Sequence, residues 1–254
     1  MKYFDLKRTS LVVATITASV GLAVVPASAL GNKTKVSAAN TSTTSSTTTA
    51  NQQAKLQLII TRGNAEITRR LAKLAGLSST IAGATKLSAS DKAALSSEVS
   101  SEISGLNSLK TTLDAETTVA GAKTDAQSII NDYRVYALVV PKVMLVRAAD
   151  AQQVAESKLS TLAAKLQTQI TTDKTAGKDT ASLQTSLDDM TSKINAAQTI
   201  STTIESSVIN LQPSDYNSNH SVLSGDRDQL KTAQTDITAA ITDGKTVISG
   251  LQSL

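Results

Sequence analysis

The chain has 254 residues, of which 40% are hydrophobic, 18% charged and 2% aromatic, with no cysteine, no tryptophan and one histidine. Its formal charge of +4 rests on the N-terminus. Lys2, Lys7 and Arg8 against Asp5 supply two of those charges, Lys33, Lys35 and Lys55 supply three more, and residues 56–254 are left at −1. These figures exclude a disulfide framework and a thiolate metal site, and they leave neither a basic face nor a stacking platform for nucleic acid.

Residues 1–29 have the layout of an export signal. A cationic start is followed by an apolar run over residues 11–25, and Pro26-Ala27-Ser28-Ala29 supplies an Ala-x-Ala cleavage site. The cleaved chain is therefore expected outside the cell or in its envelope. The next apolar run, residues 135–146, is too short to span a bilayer and is interrupted by Pro141 and Lys142, so no integral span is expected after cleavage. Residues 30–54 include nine consecutive Ser and Thr over 41–49 and are expected to be a disordered linker.

From Leu56 the apolar residues adopt helical spacing. Ile60, Ile67, Leu74 and Ile81 stand seven apart, with Leu71 and Leu77 between them, and predict a first helix ending near Gly83. Ser88 followed by Asp91 has capping-box spacing and opens a second helix through Leu95, Val99, Ile103, Leu106, Leu109 and Leu113. Thr117 or Thr118 caps a third, expected to run through Ile129, Ile130, Tyr133, Tyr136 and Val140. Pro141 then marks a first-turn position or a kink. No turn residues surround it, which favours a kinked passage into a fourth helix through Leu159, Leu162, Leu166 and Ile170.

The fifth helix has the cleanest repeat: Leu183, Met190, Ala197, Ile204 and Leu211, with Leu187, Ile194 and Val208 on the partner position. A turn-rich loop at 213–219 leads to a sixth, with Leu223, Leu230, Ile237 and Leu251 joined by Ile241 and Ile248. Small aliphatic residues in sevens suit narrow helix–helix seams. The expected fold is all-α, an elongated antiparallel bundle or coiled coil. It would comprise two three-helix bundles, 55–140 and 141–254, joined by a long helix kinked at Pro141.

Catalytic constellations are hard to assemble from these residues. His220 sits alone in a polar loop, where a solvated side chain is the ordinary outcome. Glu98 and Glu102 share a helical face that reads as solvated, and a single histidine cannot furnish a di-iron site. No cofactor or metal is implied. The distinctive stretch is Tyr133-Arg134-Val135-Tyr136, followed by Pro141-Lys142. Tyr and Arg are favoured at binding hot spots, so Tyr133, Arg134, Tyr136 and Lys142 form the candidate interaction patch. The same tyrosines also suit a plug between bundles.

Ile60-x-Arg62-Gly63-x-x-Glu66-Ile67-x-Arg69-Arg70-Leu71, Leu87-Ser88-x-x-Asp91-Lys92 and Tyr133-Arg134-Val135-Tyr136-x-Leu138-x-x-Pro141-Lys142 together resemble a group of uncharacterised, exported, all-helical bacterial proteins. The resemblance covers residues 60–150 and implies export and helicity, with no activity or site attached. The expected function is an exported, non-catalytic interaction or structural protein with a protein or envelope partner, and self-association is compatible with it. The alternative is a small-ligand-binding bundle with its pocket near Tyr133, Arg134 and Tyr136.

Overall fold

Each stripe places an apolar residue every three to four positions and carries no proline beyond a first turn, which is what a core-facing helix requires. In the computed structural model residues 40–254 are described, with side chains from Thr49 onward. The expected signal at 1–29, and the linker as far as residue 39, lie outside the described residues. Among those residues the chain forms α1 (Asn40–Ala82), α2 (Ala89–Ala115), α3 (Val119–Asn131), a π-helical turn (Val135–Val139), α4 (Val140–Thr175), α5 (Ala181–Ile209), α6 (Pro213–Ser218) and α7 (Asp226–Gln252), with no strand. This is the all-α bundle that the periodicity predicts, and Thr44–Leu254 make one compact unit.

The end of the expected linker is helical: residues 40–54 belong to α1. Serine and threonine weaken a helix only mildly, and Ala50, Gln52, Gln53, Ala54 and Lys55 favour it. The ladder therefore extends outward from Leu56, the first buried core residue of α1.

The apolar side chains fall into two clusters. The first holds Ile67, Leu74 and Ile81 of α1, Leu95, Leu106 and Leu113 of α2, and Ile129 of α3. It also takes in Val143, Val146 and Ala149 of α4, Ile204 and Val208 of α5, and Leu230 of α7. The helices of the second bundle thus reach into the first core. The second cluster is a three-helix seam of Leu159, Leu166 and Ile170 on α4, Leu187, Met190 and Ile194 on α5, and Ile237, Ala240 and Val247 on α7.

Polar residues lie between the clusters, which Ile200 of α5 bridges. Ser201 interrupts the Leu187, Ile194, Val208 row of α5, and its Oγ donates to Glu156 Oε2 at 3.0 Å in the interior. Gln152 Nε2 donates to the Leu230 carbonyl at 2.8 Å. On α7 the partner row consists of Ala233, Ala240 and Val247. Ile241 and Ile248, expected in that row, lie one position further round and are about 40% exposed.

The α3–α4 junction differs from the expected kinked helix. α3 stops at Asn131, and Arg134 takes a left-handed backbone, φ 42°, the only positive φ outside glycine among the described residues. Helical structure resumes at Val135, and the Val139 and Val140 amides donate five residues back, to the carbonyls of Arg134 and Val135. Pro141 lies in the first turn of α4. In an α-helix its ring would press on the Ala137 carbonyl, and the wider π-turn relieves that clash. The break therefore falls at residues 132–134, ahead of the proline.

Candidate functional site

The unusual features of the chain gather around this junction. Tyr133 packs against α2 at Gly105, where a Cβ would come within 2.7 Å of the phenol ring. Burial, together with Glu102 and Asp132, pushes the Tyr133 phenol above its ordinary range. Arg134 Nε donates to Asn217 Oδ1 of α6 at 2.5 Å, and its guanidinium lies 5.5 Å from the Tyr216 ring centre. Asn217 Nδ2 in turn donates to the Asn131 carbonyl at 2.8 Å. Tyr216 meets His220 edge-on at 5.2 Å. These contacts clamp α6, itself opened by Pro213 and a Gln212–Asp215 capping box, onto the end of α3.

Tyr136 points elsewhere. The residue is 48% exposed, and its ring lies 5.3 Å from the guanidinium of Arg70 on α1, which is itself buried and ion-paired with Glu66. The left-handed residue between the tyrosines breaks their one-turn relation, so Tyr133 and Tyr136 do not share the face that their spacing suggests.

Lys142 requires a correction. It is expected in the candidate interaction patch, yet its side chain is fully buried. Its Nζ donates to Glu98 Oε1 at 2.7 Å and to the Leu211 carbonyl. A buried ammonium needs a counter-charge and acceptors, and α2 and the α5–α6 connection supply them. The Glu98–Glu102 face, expected to be solvated, is thus partly interior. Glu102 lies one turn from Glu98, and its Oε2 is buried with no hydrogen-bond partner among the described residues. Burial first and Glu98 second push its carboxyl up to about 7, and Lys142 pulls against them.

Arg134 and Lys142 therefore direct their donors to partners within the chain, and the four predicted residues do not converge on one surface. The tyrosines and Pro141 single out the segment in which the helix breaks. The sequence reading misses Asn131, Tyr216 and Asn217, whose roles depend on α6 folding back onto α3. It also misses the function of Glu98, whose four-residue spacing from Glu102 is the available signal.

Beside the junction, α4 and α7 leave an open groove of about 560 Å³, floored by Pro141, Met144, Leu145, Leu223 and Leu230. Arg227 and Lys231 are the only charged residues lining it. Tyr133, Arg134 and Tyr136 lie outside it. Among the described residues no group of three or more His, Cys, Asp or Glu is placed to hold a metal ion, and no helix is long and apolar enough to cross a membrane. No family model, curated protein or solved structure matches the chain.

Proposed function

We propose that the chain is an exported, non-catalytic helical interaction protein of the cell envelope or extracellular space. The observation that carries this reading is the groove: an apolar trough between two helices, beside a junction where Arg134 and Lys142 are already bound to partners within the chain. Catalysis needs convergent groups free to meet a substrate, whereas binding needs shaped apolar area with oriented charge at its edge. The export-signal layout, and the resemblance to exported helical proteins, support the compartment.

Two measurements test the reading. N-terminal sequencing of the protein recovered from producing cells should begin at Leu30. A photo-crosslinking residue at position 144, compared with one at 178 in the α4–α5 turn, should capture a discrete adduct on intact cells from 144 and none from 178. Absence of any adduct, together with retention of residues 1–29 inside the cell, would overturn the proposal.

A further inference from the structure

The interaction reading leaves the partner unspecified, and the chemistry of the groove narrows it. Both walls are helices, and each offers residues in the one-turn pattern: Pro141, Met144 and Ala148 from α4, and Arg227, Leu230 and Gln234 from α7. Such a pair presents two ridges with a furrow between them, and a third helix is the shape that seats there. The α4 wall runs from Val140 to Gln152, about 18 Å at 1.5 Å per residue, the length of three helical turns.

Met144 is 46% exposed in the floor, and its unbranched thioether can adapt to an incoming side chain. The charge is one-sided. Arg227 and Lys231 stand one turn apart and no acidic residue lines the trough; both cations act on the exposed Asp228 carboxylate, to which Arg227 makes no ion pair. Lys231 holds Asp228 Oδ1 at 2.6 Å, but both partners are more than two-thirds exposed, so that pair is weak and exchangeable.

We propose that the α4–α7 groove binds an amphipathic helix from a partner protein, with its apolar face on Met144 and Leu145 and two acidic residues one turn apart facing Arg227 and Lys231. This rests on the interaction reading above and adds the partner's chemistry to it. A single-chain amphiphile would satisfy the apolar floor, but it offers one head group to two cations spaced along a helix. The helical partner matches both.

A displayed library of helical peptides about three turns long, selected on the mature chain, tests the proposal. Enriched peptides should carry an apolar row and a pair of acids one turn apart. Arg227→Glu with Lys231→Glu should weaken them at least ~10-fold, and exchanging the peptide acids for lysine should restore binding to that variant. Ala148→Trp, at an exposed position, should block the groove. If circular dichroism shows that variant unfolded, Met144→Ser replaces it and should also weaken binding.

Enrichment of peptides without acids, or peptides indifferent to both the charge reversal and the groove variants, overturns the proposal. So does groove-dependent binding of phosphatidylglycerol vesicles with no peptide enriched. Cellular adducts formed only from positions remote from 144 would leave the interaction reading standing and overturn this groove assignment. No adduct at any position would instead strike the reading itself.

Discussion

Lys142 shows how much a single buried charge can organise. It joins three segments: α2 through Glu98, α4 through its own backbone, and the α5–α6 connection through the Leu211 carbonyl. Removing it leaves a carboxylate and a carbonyl without their donor. Lys142→Ala should cost about 2–4 kcal/mol in chemical denaturation, less than a wholly buried pair because Glu98 keeps some solvent access. Lys142→Met combined with Glu98→Gln should recover part of that loss, since it removes both charges together.

Glu102 makes a separate, pH-dependent contribution. Its folded carboxyl titrates near 7 against 4.5 in the unfolded chain, so between those values the folded state holds a proton that the unfolded state has released. Stability from this group is complete below about pH 4.5 and falls as pH rises to about 7. Its partial solvent access reduces the full effect to about 1–2 kcal/mol. Thermal melts of Glu102→Gln should match the parent near pH 4 and exceed it at pH 8.

At the level of elements, two glycines in α1 illustrate opposite uses of one residue type. A Cβ on Gly63 would come to 2.5 Å from Leu113 Cδ2, with Ile129 Cδ1 at 3.5 Å, so this glycine lets three helices approach closely. A Cβ on Gly76 would meet nothing within 4 Å. Gly76→Ala should therefore stabilise by up to about 1 kcal/mol through helix propensity. Gly63→Ala should destabilise by about 1–3 kcal/mol through overpacking. Urea titration of the two variants checks the signs.

The caps were partly legible. Ser88 Oγ accepts from the Asp91 amide at 3.1 Å, and Thr118 Oγ1 accepts from the Gly121 amide at 3.0 Å, as their spacing predicts. The second half of the Ser88 box was not foreseeable. The Ser88 amide donates to Asp150 of α4 at 2.6 Å, while the Asp91 carboxylate accepts the Ser88 hydroxyl. Apolar period encodes which face of a helix is inward, so it located five of the main helical runs and their core residues. It carries no information on which distant carboxylate completes a cap. Nor does it distinguish Ile241 from Ala240 as the inward residue, where the close approach at Gly244 favours the smaller side chain. The break at Arg134 is hidden for a related reason: arginine does not announce a left-handed backbone.

At the scale of the folded unit, the two apolar clusters are not independent. The first needs Ile204, Val208 and Leu230 from α5 and α7, and it needs the start of α4. A fragment of residues 55–140 lacks all of these. It should show far less helix by circular dichroism than its share of the whole chain, and residues 55–254 should unfold in one transition. The belt between the clusters holds Asp150 and Glu156, whose carboxyls burial pushes above the ordinary range, with Glu205 shifted the same way nearby. Mild acid should therefore tighten this region, in the same direction as Glu102.

α4 runs unbroken through both clusters, and the groove is cut into its outer side near one end. A guest gripping that end also holds the rod along which the far seam is assembled. Occupation would then register as slower amide exchange at Leu166 and Ile170, several turns from any atom the guest touches, so the molecule carries word of its visitor along its own spine.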